Sequence, residues 1–333
     1  MNGMNCEKLM DRLMSAEAAA SLIQPNMTVG FSGFTRAGYP KAVPQAIAAQ
    51  GRAKNLTVIT GASTGPEMDS ALAQAGLIGK RMPFQTDKNV RTQINDGTIS
   101  FVDTHLGHMP RHIRQGFVGP LHYAIVECSE ITADGGIVLT TSAGLSDTLL
   151  ACAENVILEV NQAYHQQLTG IHDIYLEADY PNRREIPIYH AADRAGTPCA
   201  HCNLTKIRAI VMTDKLDAPV DFTEADENSK QIAGHIIRLF EEEVRAGRLP
   251  ENLLPLQSGV GSVANAVLSG LKDTSFKNLT MYTEVVQDSA LQLIREGKIG
   301  YASCTALSLS KDGQEEFLRN IDFYRQHLVM RPQ

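Results

Sequence analysis

Short β-branched runs alternate with longer amphipathic stretches along the chain. Runs of this kind are typical of strands that are buried on both faces of a parallel sheet. The predicted strands are Leu56–Ile59, Ala124–Val126, Ile137–Leu139, Val156–Val160 and Ile207–Val211, and the predicted helices are Ala42–Ala49, Ser146–Ala153 and Lys230–Val244. The alternation predicts an α/β fold with mostly parallel sheets and helices on both sheet faces.

The longest predicted helix, 230–244, has the pattern of an amphipathic helix. Charged residues 241–243 fall mostly outside its apolar side. That side carries Ile232, Ile236, Ile237, Leu239, Phe240 and Val244.

The chain is predicted to divide into two domains near residue 218. Its 333 residues suggest two domains, at a typical size of about 150 residues each. An acidic stretch that contains a proline, residues 214–226, interrupts the alternating pattern. We therefore predict an N-terminal domain at 1–218 and a second domain at 219–333.

One α/β unit occurs twice, once in each predicted domain. Lys-Asn-Leu-Thr-x-x-Thr stands at 54–60 and 277–283, and Asp-Ser-Ala-Leu follows at 69–72 and 288–291. Both copies run in the order glycine loop, helix, strand, helix. After the strand the first copy has Gly61, whereas the second has Glu284. This contrast predicts two tandem, related open α/β domains with the chemistry kept in the second.

The second copy is shorter than the first. Well over a hundred residues follow the repeated strand in the first domain, but only about 50 follow it in the second. Leu328–Met330 fits a terminal strand, yet we expect the second domain to be incomplete in this chain.

Composition and charge argue against several classes of protein. Hydrophobic residues make up 43% of the chain, and the net charge is −7 with no basic stripe, which argues against nucleic-acid binding. No apolar run approaches the roughly 18 residues of a membrane helix, and the start lacks a signal-peptide core. We expect a cytoplasmic or organelle-matrix protein whose six cysteines are reduced thiols.

Glu284 is the first candidate for chemistry. It follows the apolar run Leu279–Thr283 and so is placed at the carboxyl end of a predicted parallel strand, where open α/β sheets bind ligands. A carboxylate there could act as a general base, a metal ligand or a nucleophile. The alternative is a surface or helix-capping carboxylate.

The turn Ser258-Gly-Val-Gly-Ser262 is the second candidate. It lies between the strand-like Leu254–Gln257 and the predicted helix Val263–Leu271. Backbone N–H groups in such a turn can bind phosphate or donate to an oxyanion, although similar turns also serve as plain helix starts. Together with Glu284 the turn would supply a donor and a nucleophile that converge.

A glycine-rich loop at 30–40 is the third candidate. It does not have the G-x-G-x-x-G spacing of a dinucleotide site. The loop is either a structural connection or an active-site wall that closes from the other domain. Two further groups are discounted as metal sites, because Cys199-Ala-His-Cys202 lacks a second ligand pair and the histidines 105, 108 and 112 lack the glutamate of H-E-x-x-H.

At these residues the chain resembles the class I CoA-transferases, in the acetyl-CoA hydrolase/transferase branch that contains succinyl-CoA:acetate and propionyl-CoA:succinate CoA-transferases. The matching strings are Gly-Phe-Thr-x-Ala-Gly-x-Pro-Lys at 33–41, Leu-Gln-Ser-Gly-Val-Gly at 256–261, Asn-Ala-Val at 265–267, Met-Tyr-Thr-Glu-Val-Val-Gln-Asp-Ser at 281–289 and Leu-Val-Met-Arg-Pro-Gln at 328–333. They occur in the expected order over nearly the whole chain.

The resemblance implies ping-pong transfer of CoA from an acyl-CoA to a small carboxylate such as acetate, propionate or succinate. Glu284 is the implied nucleophile, which forms a glutamyl–CoA thioester, and the Val260 N–H is the implied oxyanion donor. The implied CoA contacts are Gly259, Val260, Gly261, Ser262 and Val263, and the implied substrate loop holds Gly33, Phe34, Thr35 and Gly38. CoA is then a substrate and not a resident cofactor, no metal takes part, and a homodimer is expected.

The chain departs from the family in two places. Ser262 stands where the family usually has Asn, and the family continues past 333 with an Asn-bearing loop, further CoA contacts and a second active-site glutamate. Weak activity or none is therefore expected unless another polypeptide supplies the rest. The alternatives are an acetyl-CoA hydrolase, a non-catalytic ligand-binding fragment with a structural Glu284, and a sugar-phosphate-type isomerase with Glu284 as base.

Overall fold

A computed structural model describes residues 3–62, 64–220 and 225–333, without the side chains of 165–167. Its helices are α1 Ala16–Ala20, α2 Ala42–Gln50, α3 Asp69–Gln74, α4 Lys88–Asn95, α5 Met109–Arg114, α6 Ser146–Cys152, α7 Glu227–Arg245, α8 Ser262–Leu271, α9 Asp288–Arg295, α10 Lys311–Arg319 and α11 Ile321–His327. Its strands are β1 Thr28–Phe31, β2 Leu56–Ile59, β3 Ile78–Met82, β4 Ser100–Phe101, β5 Tyr123–Ile131, β6 Ile137–Leu139, β7 Asn155–Asn161, β8 Ile207–Thr213, β9 Leu279–Tyr282, β10 Val285–Val286, β11 Ile299–Cys304, β12 Ala306–Leu307 and β13 Leu328–Met330.

Residue contacts divide the described chain into two units. Unit 1 comprises 1–184, 196–218 and 331–333, and unit 2 comprises 185–195 and 219–330. The sequence suggests two continuous ranges, 1–218 and 219–333. In the structure, segment 185–195 belongs to unit 2 and segment 331–333 belongs to unit 1.

Unit 1 is built on one large sheet with the strand order β4-β3-β2-β1-β5-β7-β8, in which β6 pairs with β5. Every pairing along this path is parallel. From β1 the chain adds β2, β3 and β4 on one side and then returns to place β5 on the other. The strand order therefore reverses between β1 and β5, which is the position where open α/β sheets bind ligands.

The five predicted strands are all present, but the predicted direction of β6 is wrong. Strand β6 runs antiparallel to β5 and pairs Ile131 with Ile137. The connection is a tight turn in which Thr132 N–H donates to Gly136 O at 2.8 Å. A connection this short permits only an antiparallel return, because a parallel one needs a crossover.

The core of unit 1 lies on both faces of the sheet. Along β7, Val156, Leu158 and Val160 belong to one buried apolar cluster, whereas Ile157 belongs to the other. Burial on alternate faces explains why these strands have near-continuous apolar sequences.

Unit 2 holds a three-stranded parallel sheet of order β13-β11-β9 and a separate parallel pair, β10 with β12. Leu328–Met330 is therefore a true strand. Helix α7 begins where the Asp226 carboxylate accepts from Ser229 N–H at 2.7 Å, an N-cap bond. Its apolar side is only partly covered, since Ile232 is 45% and Leu239 is 52% exposed. No helix in the described ranges is long and apolar enough to cross a membrane.

The sequence repeat corresponds to a structural repeat. In unit 1 a glycine loop leads into α2, β2 and α3, and in unit 2 another leads into α8, β9 and α9. Asn55 and Asn278, which precede the repeated strands, both have positive φ, at 58° and 54°. Asn adopts this left-handed conformation more readily than most residues, which explains its presence in both copies.

Candidate functional site

Glu284 lies two residues beyond the end of β9, between that strand and β10. Its side chain is exposed, and its backbone carbonyl accepts from Thr305 N–H at 2.9 Å. Thr283, just before it, donates its N–H to Ser303 O on the neighbouring strand at 2.9 Å. Hydrogen bonds on both sides thus fix the backbone that carries this carboxylate.

The glycine turn is bonded to the residues that flank Glu284. Thr283 Oγ1 donates to Ser258 O at 2.9 Å and accepts from Ser258 N–H at 3.3 Å. Gln287 Nε2 donates to Gly259 O at 3.3 Å. A single parallel bridge between Leu256 and Met281 replaces the predicted strand at 254–257. Unit 2 therefore brings the turn and the end of the Glu284 strand together.

The turn presents the N-terminus of α8 to solvent. Residues 259–263 are all exposed, with Val260 at 63%. The first N–H groups of a helix have no partner within the helix and can bind an anion or an oxyanion. Gly261 precedes the helix at φ 141° and ψ 168°, a conformation that is almost restricted to glycine. An added Cβ there would meet no atom within 4 Å, so the backbone alone demands this glycine.

An apolar groove of about 580 Å³ adjoins the turn within unit 2. Its walls include Ile236 and Phe240 of α7, Val263 and Val267 of α8, and the turn itself. Two apolar residues of α7 therefore line a groove beside the exposed N–H groups. A ligand with an apolar arm and a polar reacting end matches this combination.

The third predicted element, the loop after β1, forms a tight turn in unit 1. Phe34 and Ala37 exchange two backbone hydrogen bonds of 2.9 and 3.1 Å across Thr35 and Arg36. Both central residues have positive φ, at 49° and 67°, the pattern of a type I′ turn. Since neither is glycine or asparagine, the turn carries a cost of about 1–3 kcal/mol per residue.

Burial differs along this loop. Gly33, Phe34 and Gly38 are buried, Thr35 is half-buried and Arg36 is exposed. At Gly38 an added Cβ would approach Ser142 Oγ to 2.5 Å, so close packing and a φ of 63° both require glycine there. The exposed part of the loop is therefore its tip, which includes Arg36, a residue that the sequence did not single out.

A buried charged cluster lies directly behind this turn, and sequence reasoning missed it. Lys41 Nζ contacts Glu127 Oε2 at 2.5 Å and Asp217 Oδ1 at 2.9 Å, and all three side chains are at most 6% exposed. Burial lowers the pKa of Lys41, but Asp217 and Glu127 outweigh it and raise that pKa above the usual value. Lys41 is therefore a buried cation whose charged form is stabilised by two carboxylates.

Glu127 and Glu159 stand opposite each other on the paired strands β5 and β7. Glu127 accepts from Lys41, from Thr140 Oγ1 at 2.8 Å and from Asn161 Nδ2 at 3.2 Å, so all of these neighbours are donors. Burial raises the pKa of Glu127, and Lys41 opposes that rise. Two glutamates inside apolar strand sequences were the available signal for this cluster.

The residues discounted as metal ligands lie in unit 1. Cys199 Sγ is 3.4 Å from His201 Nε2, and the rings of His105 and His108 are 5.1 Å apart. Within the described ranges no group of three or more His, Cys, Asp or Glu side chains is arranged to hold a metal ion.

Residues 3–229 match the family model described as acetyl-CoA hydrolase/transferase N-terminal domain. A succinyl-CoA:acetate CoA-transferase of Clostridium kluyveri is 43% identical over 330 residues, which cover 98% of this chain and 61% of that protein. An acetyl-CoA hydrolase of Neurospora crassa is 40% identical over 318 residues, covering 92% and 60%. A propanoyl-CoA:succinate CoA transferase of Escherichia coli is 36% identical over 328 residues, covering 96% and 67%. The chain thus spans about three fifths of the length of the first two.

Two solved structures resemble the fold at lower identity. RipA from Yersinia pestis superposes with a TM-score of 0.69 at 18% identity, covering 97% of this chain and 68% of that one. A 4-hydroxybutyrate CoA-transferase from Porphyromonas gingivalis superposes with a TM-score of 0.61 at 20% identity, covering 98% and 68%.

Proposed function

The chain belongs to the acetyl-CoA hydrolase/transferase family, and on that premise we propose that it transfers CoA from an acyl-CoA to a small carboxylate. The observation that carries this proposal is the glycine turn, which is hydrogen-bonded to Thr283 and Gln287 on both sides of Glu284. That arrangement pairs an exposed carboxylate with exposed backbone donors. Small acids such as acetate, propionate and succinate are the proposed substrates.

The proposed reaction begins with attack of the Glu284 carboxylate on the thioester carbonyl carbon. A C–O bond forms, the C–S bond breaks, and CoA leaves as the thiolate with the bonding electrons, which yields a mixed acyl–glutamyl anhydride. The thiolate then attacks the Glu284 carbonyl carbon and releases the first acid as its carboxylate. An acceptor carboxylate reverses these steps and regenerates Glu284.

The glycine turn has two proposed roles. The Val260 N–H would donate to the oxyanion that forms at each attack, where one lost donor typically costs about 100- to 1,000-fold in rate. Residues 259–263 and the adjoining apolar groove would hold CoA next to Glu284.

Acetyl-CoA hydrolase activity is the second candidate, because the Neurospora crassa relative carries that name. The two activities differ in what attacks the glutamyl thioester, an acid or water. Incubation with acetyl-CoA and isotope-labelled propionate separates them. Transfer predicts labelled propionyl-CoA with little free thiol, whereas hydrolysis predicts free thiol without labelled thioester. If neither product forms, both candidate activities are contradicted.

Replacement of Gly261 by alanine is expected to lower kcat about 100-fold. Alanine cannot keep φ at 141°, so the Val260 N–H and the first turn of α8 would move. Steady-state kinetics with acetyl-CoA and propionate measure the effect. Gly297→Ala is the matched control, because Gly297 also has positive φ and no neighbour within 4 Å of an added Cβ. Equal loss of kcat in both variants would contradict a specific role for the turn.

A further inference from the structure

The strained turn at Thr35–Arg36 occupies a position in unit 1 that favours ligand binding. It belongs to the loop after β1, and the strand order reverses between β1 and β5. Loops at such a reversal form the binding crevice in open α/β sheets. Strained backbone conformations also concentrate at functional sites, where the surrounding structure maintains them.

Hydrogen bonds hold the returning arm of the turn at successive residues. Ser142 Oγ donates to Ala37 O at 2.9 Å, and Ser32 Oγ donates to Gly38 O at 2.9 Å. Both oxygens of Asp217 lie 3.2 Å from Gly38 N. Serine hydroxyls and a carboxylate thus fix the backbone that the positive φ values strain.

The buried Lys41 cluster joins this support to the rest of unit 1. Lys41 Nζ donates to Tyr39 O at 2.9 Å while it pairs with Glu127 and Asp217. Glu159 accepts from the backbone N–H groups of Lys41 and Val43 at 2.8 and 2.6 Å, which fixes the start of α2. The turn is therefore anchored by charged groups from β5, from β7 and from the segment after β8.

The tip of the turn carries donors that nothing in the described structure uses. Arg36 is exposed and takes part in none of the hydrogen bonds or ion pairs of the described residues. Thr35 Oγ1 is buried and has no hydrogen-bond partner among them. Since Thr35 Oγ1 is buried, Arg36 is the donor that a ligand can reach. Its planar guanidinium matches a single carboxylate, which Arg binds through two parallel hydrogen bonds.

We propose that the Lys41–Glu127–Asp217 cluster is a positioning device that holds the strained turn, and that the turn binds the carboxylate of the acid substrate through Arg36. The identity of that acid rests on the proposed function. Arg36 is then a binding residue, whereas Lys41 and Asp217 act through the conformation of the turn.

Arg36→Gln tests the binding part of this proposal. The KM for propionate should rise about 10- to 100-fold, the range for loss of hydrogen bonds to a charged group, while the KM for acetyl-CoA changes less than about twofold. Arg36→Lys should fall between wild type and Arg36→Gln, because it keeps the charge and loses the two-bond geometry. An unchanged KM for propionate would overturn this part. A raised KM for acetyl-CoA in its place would also overturn it, because that result would indicate that Arg36 binds a phosphate of CoA.

Asp217→Asn tests whether the cluster positions the turn, since it loosens the cluster and leaves Lys41 paired with Glu127. Hydrogen exchange of the backbone N–H groups of residues 33–39 should become faster, and the KM for propionate should rise. The double variant with Arg36→Gln should be no worse than Arg36→Gln alone, because both changes act on one contact. Val90→Ala, a core truncation in α4 of the same unit, controls for general loss of stability. The proposal would be overturned if Asp217→Asn left the hydrogen exchange of residues 33–39 unchanged. It would also be overturned if the two substitutions raised the KM for propionate additively, or if Val90→Ala changed the exchange and the KM in the same way.

A direct binding measurement separates this proposal from the proposed function. Acetate is titrated into the 333-residue chain with isotope-labelled arginine, and the side-chain signals are compared with those of Arg36→Gln. Acetate should shift one signal that the variant lacks. If the chain transfers no CoA but this signal shifts, the proposed function fails and the carboxylate site stands. If transfer occurs and no signal shifts, the carboxylate site fails alone.

Discussion

Replacement of Glu284 by glutamine is expected to lower the rate of CoA transfer by about 1,000-fold or more. The amide has no carboxylate oxygen to attack the thioester, so neither the anhydride nor the glutamyl thioester can form. The fold should be retained, because the Glu284 side chain is exposed and its backbone contact to Thr305 does not depend on the carboxylate. The rate of labelled propionyl-CoA formation and the thermal unfolding curve are the two measurements.

Glu315→Gln is the matched control for this variant, because it removes an exposed glutamate from the same unit that is far from both the turn and Glu284 in sequence. Its transfer rate should stay within about twofold of wild type, since isolated surface charges contribute little. Transfer at the wild-type rate in Glu284→Gln would mean that another group is the nucleophile, or that acceptor and thioester react directly.

Replacement of Lys41 by methionine should destabilise the protein by about 3–5 kcal/mol, the largest stability effect that we expect from a single substitution. Methionine fills much of the lysine volume but leaves the buried carboxylates of Glu127 and Asp217 without their cation. The Tyr39 carbonyl also loses its donor. Chemical denaturation of the variant and the wild type measures the difference in the free energy of unfolding.

The triple variant Lys41→Met, Glu127→Gln and Asp217→Asn is the control for this explanation. It removes the cation together with both negative charges, so most of the lost stability should return. If Lys41→Met unfolds like the wild type, or if the triple variant is no more stable than Lys41→Met, the cluster does not stabilise the protein through charge pairing.

Much of the fold could be predicted because its strands are buried on both faces. A strand that is buried on both faces needs a short run of apolar residues. Such runs identify β2, β5, β7 and β8 in the sequence. The repeat around Lys-Asn-Leu-Thr predicted the order of α8, β9 and α9 because the same physical requirements act twice. The direction of β6 could not be predicted, since three apolar residues carry no information on strand direction.

The buried cluster could not be predicted from the sequence because its parts are far apart along the chain. Lys41 and Asp217 are separated by most of unit 1, and Glu127 meets Glu159 only through the register of β5 with β7. The strained turn was equally hidden, because Thr35 and Arg36 are not residues that favour positive φ. For Glu284 and the glycine turn, in contrast, a repeat with one changed position singled out the residues, and their role in catalysis stays a prediction.

The proposed mechanism requires that Glu284 forms a covalent thioester with CoA. The most direct test is the intact mass of the 333-residue chain before and after incubation with acetyl-CoA, followed by mapping of the modified peptide. We expect a gain in mass equal to CoA less one water, located on Glu284 and lost in Glu284→Gln. An unchanged mass, or an adduct that persists in Glu284→Gln, would contradict it.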